Sequence, residues 1–390
     1  MQQSFRLWSQ QLPTVHPFYA VKSNPEPLLV ETLASIGSGF DCASGRELME
    51  VQKLGFSKES FRAKVVYANP CKPLRDIQTA ETLGSPTTVV DSFEEVDKLS
   101  AFRWQGSSLI RILVDDKNSL MPFSRKFGIS VAKVKDLATY AKRKGIPIEG
   151  VSFHVGSGCK DKTQYRSAIA SAHKCMEDIR EGGHKPTLVD IGGGFMVENT
   201  QRHFENCAAV IRSSLDTRYR YIAEPGRFFS TNAFDLFVQV IGKKPSADGQ
   251  GWRYTIDESL YGQFSCIPFD QKVPLWIRIP SKKGEKPRST TKGIIFGRTC
   301  DSLDMIAKSP SMEELDVGDW LWFPNMGAYS SVTASEFNGF PKPPICQPKE
   351  PLALPDVYDL VKDNLKDRLP YDVTVINGVS VGSSTIPAVA

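Results

Sequence analysis

Hydrophobic residues along the first 230 positions are gathered into short runs, and a stretch with helical periodicity follows each of them. Short apolar runs between polar residues predict buried strands, whereas apolar residues spaced three and four apart predict amphipathic helices. The runs lie at residues 16–22, 39–44, 65–69, 87–92, 108–114, 150–156, 187–194 and 220–226. Eight successive strand–helix units predict an α/β fold with a (β/α)8 TIM barrel, in which right-handed crossovers join parallel neighbours.

The pattern changes after residue 230, where alternating runs follow one another without helical segments between them. These runs lie at residues 234–244, 273–280, 292–297 and 319–325. Strand signals without helices predict a second domain that is mainly β, a sandwich or a barrel. The expected organisation is an N-terminal segment over 1–15, a barrel domain over 16–230, a β domain over 231–345 and a C-terminal extension over 346–390.

Composition narrows the class of protein. The net charge of +4 comes without a dense block of Lys or Arg, so we expect neither nucleic acid nor an anionic membrane as a partner. The start of the chain has no apolar leader, and no segment is long enough to span a bilayer. Eight cysteines lie scattered without zinc-ligand spacing, which predicts reduced thiols, no metal site and a cytoplasmic enzyme.

A lysine follows strand one and a run of three glycines follows strand seven, at the rim where barrels carry their active sites. Lys22 ends the first run, and a desolvated lysine there could attack a carbonyl and form a Schiff base. The alternative is a rim lysine paired with a carboxylate. Gly192, Gly193 and Gly194 follow the seventh run, where backbone N–H groups could surround a phosphate. The alternative is a simple turn.

Strand eight ends in Ala-Glu-Pro-Gly-Arg. Glu224 could keep a pyridine nitrogen protonated, and Arg227 could bind phosphate. The alternative for these two residues is an ion pair at the rim.

Strand six ends in His154, which could stack on a planar cofactor, and Ser157 close behind it could donate to the phosphate. The alternative for the histidine is a core residue with its hydrogen bonds satisfied. Asp41 and Arg111, at the ends of strands two and five, are interpreted as a structural pair that orients His154.

The β domain carries a smaller group of polar candidates: Asp270, Cys300, Asp301 and Tyr329. The Thr-Cys-Asp triplet joins a possible proton donor, Cys300, to an acceptor for a cationic substrate tail, Asp301.

Taken together, the motifs resemble the pyridoxal-phosphate decarboxylases of fold type III, whose barrel is that of alanine racemase. The matching segments run in the family's order over residues 17–340: PFYAVKSN, FDCAS, YANPCK, FHVGSGC, DIGGGF, AEPGRFF, TCDSLD, VGDW and NMGAYSSVTASEFNGF. The family includes diaminopimelate and arginine decarboxylases. HVGSGC, TCD and the MGAY…FNGF tail favour the eukaryotic-type ornithine decarboxylases over diaminopimelate decarboxylase or alanine racemase.

The resemblance implies a role for each candidate. Lys22 would carry the pyridoxal phosphate as a Schiff base, Glu224 would bind its ring nitrogen and His154 would stack on the ring. Cys300 would protonate the substrate's Cα, and Asp270 and Asp301 would bind the distal ammonium group. The remaining cofactor-binding residues would be Asp41, Arg111, Ser157, Gly192, Gly193, Gly194, Gly226, Arg227 and Tyr329.

The resemblance also implies that the chain converts L-ornithine to putrescine in polyamine biosynthesis. A head-to-tail homodimer with shared active sites is implied, in which Cys300 and Asp301 serve the other subunit, and an antizyme-like regulator is a possible partner. Two alternatives stay open: a decarboxylase of lysine or another diamino acid in specialised metabolism, and an inactive homologue that binds the enzyme's regulator.

Several positions depart from the family's pattern. Relatives carry more chain before PFYAVK, usually supplying a strand to the β domain, so with 15 residues before His16 we expect that strand to be missing. Arg298 and Ser302 replace Pro and Gly beside the Thr-Cys-Asp triplet, and residues 257–264 are one residue longer than the family's DGVYGSF. Phe269 replaces an aromatic hydroxyl. These changes predict an altered preference for amine length or a lower activity.

Overall fold

The computed structural model describes residues 2–196, 201–281 and 285–346. The chain divides into two units, with the main boundary between Phe229 and Ser230. We call them the barrel unit and the sheet unit. Apart from Cys346, the extension predicted over 346–390 lies outside the described residues.

A closed parallel barrel forms the centre of the first unit. Its order is β1-β10-β9-β7-β5-β4-β3-β2, and β6 and β8 pair separately as a short antiparallel ribbon. The strands are Val15–Ala20 (β1), Gly39–Cys42 (β2), Val65–Tyr67 (β3), Thr87–Val90 (β4), Ser108–Arg111 (β5), Ser119–Met121 (β6), Ile148–Ser152 (β7), Ser157–Cys159 (β8), Leu188–Asp190 (β9) and Arg220–Ala223 (β10). The predicted (β/α)8 barrel is therefore confirmed.

Helices connect the barrel strands, and serine side chains begin three of them. Ser44, Ser57 and Ser92 each accept a hydrogen bond of 3.2 Å from the backbone N–H three residues later, which satisfies a donor that the helix leaves unpaired. The helices are Gln2–Gln11 (α1), Pro27–Ser35 (α2), Gly45–Gln52 (α3), Lys58–Lys64 (α4), Leu74–Leu83 (α5), Phe93–Ala101 (α6), Val134–Arg143 (α7), Thr163–Glu181 (α8), Gln201–Arg212 (α9) and Arg227–Ser230 (α10).

Apolar side chains from six barrel strands pack into one cluster: Phe18, Val66, Val89, Leu109, Leu188 and Ile222. Several strands are buried along their whole length, as parallel strands covered on both faces must be, and this explains their continuous apolar sequence. Burying one such side chain contributes about 1.5–3 kcal/mol, so the cluster holds the strand ends in fixed positions.

The first residues form helix α1, which packs on the barrel unit through Trp8. The indole is 1% exposed, and its Nε1–H donates to the carbonyl of Val15 at 2.9 Å. The barrel unit therefore includes residues before position 16, where the sequence placed the start of the barrel domain.

The second unit contains a six-stranded sheet in the order β13-β16-β11-β12-β14-β15. The strands are Leu236–Pro245 (β11), Trp252–Ile256 (β12), Ile277–Ile279 (β13), Thr290–Phe296 (β14), Met305–Glu313 (β15) and Trp320–Phe323 (β16), and a short helix spans Cys266–Asp270 (α11). The mainly β character is confirmed. Among the described residues, no helix combines the length and apolar character that crossing a bilayer requires.

Candidate active site

Lys22 lies just beyond the first barrel strand. Strand β1 ends at Ala20, two residues before the end of the predicted run. Lys22 therefore lies in the 3-10 turn Val21–Ser23 that follows the strand. Its ammonium group pairs with the carboxylate of Asp41, which is level with Ala20 in the β1–β2 ladder and fully buried. The amine itself remains partly exposed, with 37% of the side chain accessible. The amine that the sequence predicts as a nucleophile is thus paired with a buried acid at the rim.

Asp41 does not pair with Arg111, and that prediction is wrong. The guanidinium of Arg111 lies over the ring of Phe127, with its carbon 4.9 Å from the ring centroid. The sequence showed two opposite charges at strand ends, but barrel register brings the β2 carboxylate beside the residues that follow β1.

Two more buried acids, Asp190 and Glu224, face each other at the ends of β9 and β10. Burial raises the pKa of Asp190 to about 6. Hydrogen bonds from the Gly192 N–H, at 2.9 Å, and from Ser152 Oγ, at 3.0 Å, act in the opposite direction and lower it. Burial, and then the negative charges of Asp190 and Asp41, raise the pKa of Glu224 well above its usual value, while Lys22 opposes this. The raised pKa favours the protonated form of the Glu224 carboxyl group.

Asp190 was not among the residues predicted from the sequence. Its signal was its place directly before Ile191 and the glycines, where a strand-end acid could bond the first amide of the following turn. Such acids also occur as plain turn residues.

His154 lies two residues beyond β7 as a neutral imidazole. Its Nδ1 accepts a hydrogen bond of 3.0 Å from the N–H of Gly156, which leaves Nε2 to carry the proton. Burial lowers its pKa well below the usual value, and the positive charges of Arg111 and Lys22 lower it further. The Phe123 ring and the imidazole pack in an edge-to-face contact, with centroids 4.8 Å apart.

The glycine run passes directly beside this histidine. Gly192 and Gly194 have φ values of +63° and +103°, which side chains rarely adopt. A Cβ on Gly193 would lie 2.7 Å from His154 Nε2, so only glycine fits there. Backbone N–H groups that no side chain covers can bind an anion.

Arg227 and Ser157 supply further donors in the barrel unit. Arg227 is 8% exposed, and its Nη2 donates to Ser157 Oγ at 3.1 Å. A Cβ on Gly226 would lie 3.0 Å from the Cβ of Ser23, so the backbone before Arg227 runs tightly against the turn that carries Lys22.

The other candidates lie in the sheet unit. Cys300 is exposed, and its N–H donates to Asn338 Oδ1 at 3.0 Å. The Asp301 carboxylate accepts hydrogen bonds from the Leu303 N–H, at 2.9 Å, and from the Tyr261 hydroxyl, and both lower its pKa.

Asp270 and Tyr329 complete the predicted set. Asp270 ends α11 and is 8% exposed. Tyr329 has a left-handed backbone, with φ +53°.

Two of the family departures in the sheet unit, Arg298 and the lengthened segment 257–264, lie in contact. Arg298 is 3.9 Å from the carboxylate of Glu258, which belongs to the lengthened segment, and its backbone N–H donates to the Glu258 carbonyl at 3.1 Å. The Arg298 guanidinium also lies 4.5 Å from the Phe340 ring centroid and donates to the Pro341 carbonyl at 3.0 Å.

Comparison with known proteins decides the family. The family described as pyridoxal-dependent decarboxylase, pyridoxal binding domain, matches residues 1–231. The chain belongs to this family. The ornithine decarboxylase of Caenorhabditis elegans is 39% identical over 359 residues, 87% of this chain and 83% of that protein. Antizyme inhibitor 2 of Xenopus laevis is also 39% identical, over 351 residues, 86% of this chain and 76% of that protein.

Solved structures agree with this assignment. The arginine decarboxylase of Paramecium bursaria Chlorella virus has a TM-score of 0.81 and 32% identity, and the match covers 87% of this chain and 91% of that one. SrLDC, solved with PLP and cadaverine, has a TM-score of 0.78 and 28% identity over 95% of this chain and 92% of that one. The predicted family, cofactor and class of reaction are confirmed: the protein is a pyridoxal-phosphate-dependent decarboxylase.

The residues of the barrel unit fit this cofactor. Glu224 Oε1 is buried without a hydrogen-bond partner among the described residues, as an acid awaiting a ring nitrogen would be. Because position 193 has no side chain, the glycine backbone can lie directly against the His154 imidazole, where a Cβ would come within 2.7 Å of Nε2. Arg227, Ser157 and the N–H groups of Gly193 and Gly194 can bind a phosphate, whereas the Gly192 N–H donates to Asp190.

Proposed function

We propose that this decarboxylase converts L-ornithine to putrescine. Support comes from 39% identity to the ornithine decarboxylases of Caenorhabditis elegans and Mus musculus over 87% of the chain. The observation that carries the chemistry is Glu224, a buried acid whose pKa is raised and whose Oε1 has no partner among the described residues. Beside a ring nitrogen, this buried carboxyl group would be stabilised as a carboxylate and would keep the nitrogen protonated through their opposite charges.

Pyridoxal phosphate, when bound, supplies a ring that accepts the electron pair left by the departing carbon dioxide. Lys22 would hold the cofactor covalently, and Asp41 would orient its amine. Glu224 would give its proton to the ring nitrogen and stay beside it as a carboxylate. His154, being neutral, would stack on the ring without repelling that positive charge.

The phosphate would be held by backbone N–H groups and by side chains with a positive charge or a hydroxyl. Arg227 supplies the positive charge and orients Ser157 through their hydrogen bond. The remaining members of the set would be Gly192, Gly193, Gly194, Gly226 and Tyr329. Arg111, whose positive charge lowers the His154 pKa, would keep the histidine neutral.

The distal ammonium of the substrate would be bound by Asp270 and Asp301. The Leu303 N–H and the Tyr261 hydroxyl lower the pKa of Asp301, which favours the ionised state that a cationic tail requires. Cys300 would return a proton to Cα. A neutral amino acid would leave both carboxylates unpaired, so such substrates should be rejected.

For the assembly we propose a homodimer in which Cys300 and Asp301 serve the partner's barrel, with an antizyme-like protein as a possible regulator. Relatives that include an antizyme inhibitor support the second part. We also propose a cytoplasmic location, supported by eight cysteines that are all free thiols.

A decarboxylation assay over ornithine, lysine, arginine and diaminopimelate tests the substrate. Ornithine should give the highest kcat/KM. Asp301→Asn should lower that value at least about tenfold through KM, because a charge-assisted contact is worth about 1.5–3 kcal/mol. Asp257→Asn, in the same unit, is the control. A higher kcat/KM for lysine or arginine would show that ornithine is not the preferred substrate. An unchanged KM in Asp301→Asn would show that Asp301 does not bind the distal ammonium group.

The rival function is an inactive homologue that binds the regulator, which the similarity to antizyme inhibitor 2 favours. The buried acids, the glycine run and Lys22 are all present, and this supports the enzyme. A purified chain with no visible absorbance from bound cofactor and no activity on any of the four substrates would favour the rival.

A further inference from the structure

Four aromatic residues form a buried cluster behind the glycine run, which we call the Trp8 cluster: Trp8, Phe195, Phe204 and Phe228. The ring centroid of Trp8 lies 4.8 Å from that of Phe195, 5.6 Å from Phe204 and 5.5 Å from Phe228. Each of the four side chains is 5% exposed or less. The cluster therefore joins α1 to three later parts of the barrel unit.

Two of those parts are the segments proposed to hold phosphate. Phe195 directly follows Gly194, and Phe228 directly follows Arg227. Both rings contact the same indole in an edge-to-face arrangement, with interplanar angles of 77° for Phe195 and 71° for Phe228. Trp8 thus fixes the ends of two separate phosphate-binding segments relative to each other.

Tyr165 adds a polar link to this arrangement. Its ring stacks on Phe195 at 5.3 Å, and its hydroxyl donates to the carbonyl of Gly193 at 3.0 Å. The glycine run is consequently held from behind by an aromatic face and a hydrogen bond. Glycines have no side chains of their own to fix their N–H directions, so their conformation depends on such neighbours.

We propose that Trp8 is a positioning residue for the cofactor's phosphate. The inference rests on the proposed phosphate-binding roles of Gly192–Gly194 and Arg227. The indole holds Phe195 and Phe228 so that the glycine N–H groups and the guanidinium converge on one anion. Without the indole, neighbouring side chains would relax into the vacated volume, and the two segments would no longer be held in fixed positions relative to each other.

The test compares two ligands on the full-length chain freed of its cofactor. Pyridoxal phosphate and pyridoxal carry the same ring and aldehyde, so the ratio of their dissociation constants isolates the phosphate. In Trp8→Leu, pyridoxal phosphate should bind at least about tenfold more weakly, the effect of losing one charge-assisted hydrogen bond, with pyridoxal binding changed less than about threefold. The phosphorus NMR signal of the bound cofactor should shift as well.

Trp104→Leu is the matched control, because Trp104 is also buried in the barrel unit, at 3% exposure, in the turn after α6. It should leave the ratio unchanged. Equal weakening of both ligands in the Trp8 variant, or no change in either, overturns the inference. Should Trp8→Leu not fold, Trp8→Phe decides by the same ratio. A wild-type protein that binds both ligands equally would instead refute the proposed phosphate-binding residues.

Discussion

At the barrel rim a partly exposed lysine lies beside buried carboxyl groups, an arrangement that the sequence only partly indicated. Lys22 and Glu224 were recognisable because a lysine and a glutamate ended strands in distinctive motifs. Asp190 was missed, and the partner of Asp41 was wrong, because both depend on which strands are neighbours across the closed barrel. Residue type and strand position were thus predictable, but pairwise contacts between strands were not.

Lys22→Ala should abolish cofactor attachment. Borohydride treatment of the wild type should fix the cofactor to a peptide containing Lys22, since this amine lies at the rim beside a buried carboxylate. Lys53→Ala, at an exposed lysine of the same unit, should keep the adduct. Peptide mapping by mass spectrometry reads the result, and an adduct on another lysine in the Lys22 variant would refute the assignment.

Asp190 should make the cofactor-free protein less stable as pH rises. Its folded pKa, about 6, lies above the reference value of 3.8, so its contribution is fully present below pH 3.8 and is lost as pH rises through about 6. Relative to Asp190→Asn, the wild type should lose at most about 3 kcal/mol of unfolding free energy between those limits. Urea unfolding at several pH values measures the difference.

Asp136→Asn, at an exposed carboxylate of α7, serves as the control for that series. Glu224 acts in the same direction, because burial raises its pKa too. A wild-type curve parallel to that of Asp190→Asn would show that folding does not raise the pKa of Asp190.

Helices and strands were predictable where their burial is simple. The barrel strands lie within a few residues of the predicted runs, because burial on both faces leaves an uninterrupted apolar sequence. Strand β15 contains Lys308, Ser309 and Pro310, and it was missed because it pairs in a half-exposed sheet where polar residues are tolerated. The ribbon of β6 and β8 has three residues in each strand, too few for a visible alternation.

The loop that carries Cys300 should depend on Arg298. Arg298 holds Phe340 and Pro341, and Asn338 in the same segment accepts from the Cys300 N–H. Arg298→Ala should lower kcat about tenfold by displacing the proposed proton donor, with KM changed less than about twofold.

Arg253→Ala is the matched control for that loop, since Arg253 also donates to a proline carbonyl, that of Pro245 at 3.2 Å. Steady-state kinetics on ornithine should leave this variant at wild-type values. If kcat is unaffected in Arg298→Ala, the contact with the 337–341 segment does not position Cys300.

For the protein as a whole, shared active sites predict complementation between two inactive variants. Lys22→Ala and Cys300→Ala homodimers should each be nearly inactive. After subunit exchange of equal amounts, about half the dimers are mixed and each has one intact site, which restores roughly a quarter of wild-type activity. Native mass spectrometry with differently tagged chains confirms the exchange, and a mixture that stays inactive after it would place both residues in the same chain's site.

The closure of the barrel sets an order of events during synthesis. Strand β1 pairs with β10, roughly 200 residues later in the chain, and Lys22 and Glu224 follow these two strands. A ribosome adding about 5–20 residues per second needs tens of seconds to make that stretch. Until β10 has been synthesised, Lys22 is present without Glu224. A chain that ends at Arg212 represents this stage, so it should not retain pyridoxal phosphate in a gel-filtration assay. We therefore expect the cofactor to bind only after β10 has closed the barrel against β1.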